Sequence, residues 1–241
     1  MMVLVDIHSH ILPGVDDGAS DVETSVKLLE MMKEQGISHV LATPHFDASQ
    51  CNTEEFNYYV SKAVKTLSDF TYGRDLPEVY TGCEVYYFPG ISKSNGIKYF
   101  TLANSKYLLL ELCYGQPITD RVIHEIIDLH DKFGIIPIIA HIERYSKEKG
   151  FKKLLELVRH KVCIAQINTM SLMDKQPYKK VVLKLLKQGY ISFIATDAHS
   201  VKFRPPLMDK ALEVIKNNLG QEFVDALLKN SDDFYNNVLR K

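Results

Sequence analysis

The sequence has almost no net charge and no long apolar run. Its 241 residues include 29 lysines and arginines against 30 aspartates and glutamates, which gives a formal net charge of −1. Binding to nucleic acid or to an anionic membrane needs an excess of positive charge, which this chain lacks. The apolar runs are far shorter than the roughly 20 residues of a membrane-spanning helix, and MMVLVDIHSH lacks the basic start and long apolar stretch of a signal peptide. We therefore expect a cytoplasmic protein that neither inserts into membranes nor binds nucleic acid.

Cysteine is also scarce. The four cysteines, Cys51, Cys83, Cys113 and Cys163, are widely separated, and no CxxC pair occurs. A disulfide framework or a cysteine-rich zinc site would need closer, paired cysteines. The sequence therefore predicts free thiols, as is usual for a chain of this length without a secretion signal.

No stretch rich in proline, glycine or serine divides the chain, which predicts a single domain over residues 1–241. Short apolar runs rich in β-branched residues alternate with amphipathic segments, an order typical of parallel βαβ units. The predicted strands are 3–8, 38–44, 79–86, 107–112, 135–140, 162–167 and 191–196. Helices are predicted at 54–69 and 120–133 and near 147–160, 175–188 and 206–218.

Several helix ends can also be predicted. Gly36, Gly134 and Gly189 each separate an amphipathic segment from the next apolar run, the position at which a helix commonly ends in the left-handed region. Ser20, three residues before a glutamate, has the spacing of a capping box, and Thr119 is expected to cap the helix that follows it.

Side chains that bind metals recur at the ends of the predicted strands. The apolar runs in MVLVDIHSH, SHVLATPH, YTGCE, YLLLEL, IIPIIAH and YISFIATDAH each stop at a histidine, aspartate or glutamate. Active-site residues of an α/β barrel gather at this end of the strands, because the loops converge there. An open doubly wound sheet would instead concentrate them at one switch point, so we predict a closed barrel of about seven strands. The candidate ligands are His8, His10, Asp17, His45, Glu84, Glu111, His141, Asp197 and His199.

The chemistry of these side chains indicates a cluster of metal ions. His8 and His10 lie two residues apart, so on an extended strand both imidazoles project to one face. Imidazole and carboxylate ligands without thiolate favour Mn²⁺, Fe, Co or Zn. Nine ligands exceed the needs of one ion, which predicts two or three ions bridged by Glu84 and Glu111. A carboxylate among the leucines of LLLEL needs a compensating cation, and such a cluster turns bound water into hydroxide at neutral pH.

The segments DIHSHILPGVDDG, ATPHF, GCEVY, LLLEL, AHIERY and TDAHS resemble the motifs of the PHP (polymerase and histidinol phosphatase) superfamily. Within it, the chain is similar to the bacterial CpsB/YwqE-type tyrosine-protein phosphatases, which act with polysaccharide-synthesis tyrosine kinases. The resemblance runs in order from about residue 4 to residue 206. It implies an α/β fold, a distorted (β/α)7 barrel of PHP type with its active site at the C-terminal ends of the strands. It also implies a trinuclear Mn²⁺-type centre and hydrolysis of phosphotyrosine by a metal-bridging hydroxide.

The resemblance further implies roles for single residues. All nine candidate ligands match the metal positions of the family, and of the adjacent Asp16 and Asp17 only the second does. Arg144 and Arg204 match residues that bind the substrate phosphate through guanidinium forks. A salt bridge to a loop carboxylate is the alternative role for each arginine. The implied partner is a phosphotyrosine-bearing protein, in particular a bacterial tyrosine autokinase.

Additional residues are candidates for the walls of the site. Asn168 ends the sixth predicted strand and is a candidate polar residue there. Aromatic side chains between 86 and 114 are candidates for an entrance that accepts a phosphotyrosine ring, with core packing as the alternative. They are Tyr86, Tyr87, Phe88, Tyr99, Phe100 and Tyr114.

Two other functions remain open at this point. One is a small-molecule phosphatase of histidinol-phosphatase type, and the other is a non-catalytic module that docks to a kinase. HILPGVDDG and HIERY favour the tyrosine phosphatase, and a docking module would need neither the ligands nor the arginines. A thiol-based tyrosine phosphatase is excluded, because it needs an arginine six positions after its cysteine. Those positions hold Asn57, Pro89, Thr119 and Thr169.

Overall fold

The computed structural model describes residues 2–94 and 96–240. Nine strands and seven α-helices alternate along most of this part of the chain. The strands are Val5–Ser9 (β1), His39–Ala42 (β2), His45–Phe46 (β3), Glu78–Thr81 (β4), Glu84–Tyr86 (β5), Tyr107–Glu111 (β6), Ile136–Ile139 (β7), Ile164–Asn168 (β8) and Phe193–Ala195 (β9). The α-helices are Val22–Glu34 (α1), Thr53–Thr71 (α2), Asp120–Phe133 (α3), Phe151–Arg159 (α4), Lys179–Lys187 (α5), Met208–Leu219 (α6) and Gln221–Phe234 (α7).

All pairs of neighbouring strands are parallel. Three strands form a sheet in the order β1-β2-β4, and the other six form a sheet in the order β3-β5-β6-β7-β8-β9. The chain links the two sheets twice, since only residues 43–44 separate β2 from β3 and only residues 82–83 separate β4 from β5. A backbone hydrogen bond from Gly82 N to Ala42 O (3.0 Å) spans this break.

β1 also lies beside β9, so the sheet curls round on itself. Asp197 N donates to His8 O and His10 N donates to Ala198 O, both at 2.9 Å. Because the strands are parallel, their carboxyl ends lie at one rim of the curled sheet, where the connecting loops meet. This rim carries the candidate ligands.

The predicted alternation of strands and helices is confirmed, and the fold is a mixed α/β fold with a curled parallel sheet. The strands predicted at 38–44 and 79–86 are each interrupted near the ligand-bearing end. Two regions had no predicted structure: residues 87–106 contain three short 3-10 helices, and the end of the chain forms α7. Ser231 on α7 accepts a hydrogen bond from Val5 N (2.7 Å), so this helix covers the amino end of β1. In the described ranges, none of the helices combines the length and apolarity required to span a bilayer.

The helix ends agree with the prediction except at α1. Gly36, Gly134 and Gly189 have φ values of +81°, +64° and +73°, and the Thr119 side chain accepts from Val122 N at the start of α3. The prediction that Ser20 caps α1 is wrong. Asp21 is the capping residue and accepts from Thr24 N at 2.7 Å, because the first helical turn begins one residue later than the capping box would place it.

Candidate metal centre

The nine predicted ligands meet at the rim formed by the carboxyl ends of the strands. Most are buried, although Asp17 lies on an exposed loop with a side chain that is 66% accessible. Each lies on a strand or in the loop that follows one, and His45 and Glu84 are the first residues of the short strands β3 and β5. They are His8 on β1, His10 and Asp17 in the β1–α1 loop, His45 on β3, Glu84 on β5, Glu111 on β6, His141 after β7, and Asp197 and His199 after β9.

Glu84 lies at the centre of this cluster. Its Oε2 lies 3.2 Å from His8 Nε2, 3.3 Å from His10 Nε2 and 3.0 Å from His45 Nδ1. Its Oε1 lies 3.0 Å from His141 Nε2. A carboxylate with imidazoles facing both oxygens has the arrangement of a ligand that bridges two ions.

Glu111 faces two of the same imidazoles. Its Oε1 lies 3.4 Å from His141 Nε2, and its Oε2 lies 3.8 Å from His45 Nδ1. The potential ligand atoms of His45, Glu84 and Glu111 all lie within 4.8 Å of one another. This group and the group of His8, His10 and Glu84 share the central carboxylate.

A third group lies toward solvent. Asp17 Oδ1 lies 3.4 Å from Nε2 of both His45 and His199, and together with His10 these residues could hold an ion. His10 Nε2 also lies 3.4 Å from Asp197 Oδ1. His10 and His45 therefore connect the outer group to the inner ones.

The pKa values of the two central glutamates are shifted in opposite directions. Burial and the neighbouring Glu84 raise the pKa of Glu111 to about 7. Burial also acts to raise the pKa of Glu84, but the charge of His8 and hydrogen bonds with His10 and His141 bring it well below its ordinary value. Two carboxylates this close repel each other unless a cation lies between them.

Two of the imidazoles are held neutral, the form that binds metals. Burial and the charge of Arg144 lower the pKa of His141 to about 4. Burial and the charge of His10 lower the pKa of His199 to about 4.

The donor set fits metal ions. Within residues 2–94 and 96–240, Glu84 Oε2 and His199 Nε2 are buried, and the ring nitrogens or carboxylate oxygen 3.0–3.4 Å from them are not placed to form a good hydrogen bond. This state is costly unless another group satisfies them. His8 Nε2 and His10 Nε2 also face each other at 3.1 Å. Ions bound between these nitrogens and carboxylates would satisfy all of them at once.

Two of the candidate ligands have strained backbones. His141 has φ +32° and Asp197 has φ +50°, values that cost a non-glycine residue on the order of 1–3 kcal/mol. His141 N is held by Gln166 Oε1 at 2.8 Å, and Asp197 N by the carbonyl of His8. Because of these hydrogen bonds, the backbone at His141 and Asp197 does not continue β7 and β9, and both side chains lie over the rim.

Sequence reasoning missed Asp16, which it treated as a loop residue without a role. Its Oδ2 lies 2.7 Å from His10 Nδ1 and accepts from His45 N at 3.1 Å, while its Oδ1 accepts from Gly18 N at 2.9 Å. Gly18 is required here, since a Cβ would lie 2.1 Å from His10 O. Burial acts to raise the pKa of Asp16, but the hydrogen bond and charge of His10 lower it to about 2.

Gln166 on β8 was also missed. Its Oε1 accepts from His141 N and lies 3.2 Å from His8 Nδ1, so one amide contacts two ligand residues. Its Nε2 donates to Asn168 Oδ1 at 2.7 Å, and Asn168 Nδ2 donates to Asp197 Oδ2 at 2.5 Å. Asn168 therefore lies in the wall of the site. A glutamine inside a predicted apolar strand was the signal that could have found Gln166.

Two of the aromatic candidates for an entrance follow the alternative of core packing. Tyr87 and Phe100 are buried in the core. Tyr87 donates to Glu125 at 2.9 Å, and Phe100 stacks on Phe46. Both side chains are too large and apolar to remain at an open rim when the 87–106 segment folds over the sheet. Tyr86, in contrast, lines a cavity beside His45.

Arg144 and Arg204 both point at the cluster. Arg144 Nη2 donates to Asp197 Oδ2 at 3.1 Å, and Arg204 Nη2 donates to the same oxygen at 2.6 Å. Their side chains are 31% and 37% exposed, so each guanidinium is open to a ligand that enters from the rim.

Comparison with known proteins identifies the family. A family model described as capsular polysaccharide synthesis, CpsB/CapC, matches residues 4–235. The chain belongs to the CpsB/CapC family. It is 32% identical over 235 residues to the tyrosine-protein phosphatase YwqE of Bacillus subtilis, covering 95% of this chain and 90% of that protein. It is 31% identical over 231 residues to the tyrosine-protein phosphatase CpsB of Streptococcus pneumoniae, covering 90% and 91%.

Solved structures of the CpsB/CapC family share the fold. Crystal structures of YwqE and of S. pneumoniae CpsB, described as metal-dependent tyrosine phosphatases, match with a TM-score of 0.82, 29% identity, and coverage of 98% of this chain and 94% of that chain. Histidinol phosphate phosphatase from Lactococcus lactis matches at a TM-score of 0.56 and 15% identity, over 91% and 95%, which shows a common fold alone. The predicted family and enzyme class are confirmed by these relatives.

Proposed function

We propose that the protein is a metal-dependent protein-tyrosine phosphatase whose nine clustered residues bind two or three ions, with Mn²⁺ the preferred metal. One observation carries this proposal: Glu84 has imidazole nitrogens 3.0–3.3 Å from its two oxygens, deep in the rim of the sheet. The names of the relatives support the activity. The mixture of imidazole and carboxylate supports a borderline transition metal such as Mn²⁺, with Fe, Co or Zn as alternatives.

The proposed metal ligands fall into two groups that would hold ions at different depths in the site. Glu84 and Glu111 would hold ions on the sheet side of the cluster, and Asp17 and His199 would hold an ion on the solvent side. Bound divalent ions lower the pKa of water and neutralise phosphate charge, which supplies a nucleophile and stabilises the transition state. The protein fixes the ligand geometry and keeps the site closed on the sheet side.

Arg144 and Arg204 are proposed to bind the substrate phosphate. A phosphate dianion needs fixed donors on its peripheral oxygens, and a guanidinium provides them in a planar fork. Both arginines approach from the open side of the cluster and converge on one oxygen of Asp197. A phosphate at the ions would therefore lie within reach of both. The alternative, a purely structural salt bridge, leaves phosphate binding to the metals.

The sheet is proposed to be a closed, distorted (β/α)7 barrel. If β2 with β3 and β4 with β5 are each counted as one interrupted strand, seven strand positions result. The hydrogen bonds that join the end of β1 to the residues just after β9 support closure. A single domain over residues 1–241 is supported by one hydrophobic cluster that contains residues from Ile11 to Leu227.

The proposed substrate is a phosphotyrosine on a protein, in particular a bacterial tyrosine autokinase of capsule synthesis. The family's description as capsular polysaccharide synthesis supports this partner. We also propose a cytoplasmic location. The four cysteines are free thiols, a state typical of reducing compartments.

Hydrolysis of matched substrates tests the function. The Mn²⁺-loaded protein should release phosphate from a phosphotyrosine peptide and from p-nitrophenyl phosphate, and more slowly from histidinol phosphate. A clear preference for histidinol phosphate would contradict the proposal and indicate a small-molecule phosphatase. No release from any of the three would indicate a docking module.

A further inference from the structure

A cavity of about 750 Å³ opens beside the metal centre. Its walls are the β1–α1 loop, the β3–α2 loop and the first two turns of α2. Two of the candidate metal ligands, Asp17 and His45, form part of its lining, so the cavity and the centre share a wall. Its volume lies in the range of sites that bind small ligands or a short stretch of peptide.

The lining of this cavity is acidic. Asp47 and Glu55 belong to it, and no lysine or arginine does in the described part of the chain. Neither carboxylate forms an ion pair with any described residue. Asp47 is held in place in the β3–α2 loop by hydrogen bonds from Ser49 N (2.9 Å) and Gln50 Nε2 (2.9 Å).

Aromatic side chains line the same cavity. Tyr59 on α2 is 53% exposed. Tyr86, the last residue of β5, also lines the cavity. Phe56 is buried beneath them and packs edge-on against Phe46. Aromatic and aliphatic parts of a peptide, including the stem of a lysine, pack well on such surfaces.

The two arginines near the centre line a different cavity from the acidic residues. Arg144 and Arg204 line a separate cavity of only about 120 Å³, which is too small for a peptide. Arg204 Nη1 also lies 3.9 Å from Asp17 Oδ2 in the wall of the large cavity, so the acidic cavity and the two guanidinium groups adjoin the same centre. A substrate that carries a dianionic phosphate next to positive side chains would match both.

We propose that the 750 Å³ cavity binds the polypeptide around the phosphotyrosine, and that Asp47 and Glu55 select substrates with lysine or arginine beside that residue. The inference rests on the proposed function and adds its substrate preference. Another metal ion is a poorer occupant, because the groups of described residues with converging ligand atoms include Asp17 and His45 but neither Asp47 nor Glu55.

Two phosphotyrosine peptides that differ only in charge test the proposal. One peptide carries a lysine immediately before the phosphotyrosine and another immediately after it. The other peptide carries glutamate at the same two positions. We expect the Mn²⁺-loaded wild type to prefer the lysine peptide by about three- to tenfold in kcat/KM, the range for two partly exposed charge contacts. The preference should shrink as salt is added, because exposed charges are screened.

Variants of the two cavity carboxylates test whether the cavity causes the preference for the lysine peptide. Glu55→Gln should lower the lysine-to-glutamate ratio, and the double variant Glu55→Gln with Asp47→Asn should bring it close to one. For every variant, kcat/KM for each peptide is divided by kcat/KM of the same variant for p-nitrophenyl phosphate, which has no flanking charge. Glu54→Gln is the matched control, since Glu54 is exposed on the same helix turn but does not line the cavity. It should keep the wild-type ratio.

The outcomes separate the two proposals. Hydrolysis of both peptides at equal rates, a preference for the glutamate peptide, or an unchanged ratio in the double variant would overturn the substrate preference and leave the phosphatase intact. A ratio that falls equally in Glu54→Gln would show a general effect of net charge and would also overturn it. No hydrolysis of either peptide or of p-nitrophenyl phosphate would instead refute the proposed function.

Discussion

Asp16 and His10 form a carboxylate–imidazole pair, with Oδ2 of the aspartate 2.7 Å from Nδ1 of the histidine. This contact places the proton on Nδ1 and leaves Nε2 free to face Glu84 at 3.3 Å. The same Oδ2 accepts from His45 N, so one carboxylate positions two candidate ligands. Partners of this kind orient metal-binding imidazoles and raise their basicity.

Asp16→Asn should therefore weaken metal binding although Asp16 is not a proposed ligand. We expect a loss of about 10- to 100-fold in Mn²⁺ affinity, measured by calorimetry on the metal-free protein. Asp21→Asn is a control on the same loop, because asparagine also caps helices well. Wild-type Mn²⁺ affinity in Asp16→Asn would show that the contact does not support the centre.

Arg204→Ala should impair substrate binding and leave the metals in place. Loss of a charge-assisted contact to phosphate is worth about 2–4 kcal/mol in the transition state, or roughly 30- to 1000-fold in kcat/KM. Arg204→Lys should recover only part of this, because a point charge lacks the fork geometry. Arg144→Ala should behave like Arg204→Ala.

The structural alternative for the arginines predicts the reverse pattern. If they only neutralise Asp197, their removal should lower the melting temperature or the metal content, and kcat/KM should stay within about threefold of wild type. Measuring all three quantities on the same variants separates the two roles.

Glu111→Gln should reduce metal occupancy and catalysis together. The amide keeps the shape of the side chain but loses the charge that compensates bound cations and the ability to bridge them. Metal content by mass spectrometry and kcat/KM should fall in parallel. Full occupancy with normal turnover would exclude Glu111 as a bridging ligand.

Replacing all four cysteines should leave hydrolysis nearly unchanged. Burial raises the pKa of Cys163 to about 12 and raises that of Cys83 even more, so these thiols are protonated and poor nucleophiles. We expect kcat/KM of the folded cysteine-free protein to remain within about threefold of wild type. A large loss at full metal content would contradict a metal-based mechanism.

The sequence predicted the strand ends well because the ligand pattern and the parallel fold are linked. An apolar run that stops at a histidine or carboxylate is visible without coordinates, as in the segments that end at His8 and Glu111. Parallel strands then bring those ends together. All nine predicted ligands lie at one rim for this reason.

Other features depend on contacts between distant segments. The strained backbones of His141 and Asp197 are held by tertiary hydrogen bonds that no local pattern encodes. Asp16 and Asp17 are adjacent and chemically alike, and only the fold of the loop over Gly18 turns one inward and the other outward. Local propensity cannot make that distinction.

Titration of the metal-free protein with Mn²⁺ tests whether phosphatase activity depends on metal bound at this centre. After exhaustive chelation and dialysis the protein should have no phosphatase activity, and kcat/KM for p-nitrophenyl phosphate should return as two or three Mn²⁺ bind per chain. Mg²⁺ should restore less, because imidazole-rich sites favour transition ions over hard cations. Full activity without metal, or activity that is independent of bound Mn²⁺, would contradict the account.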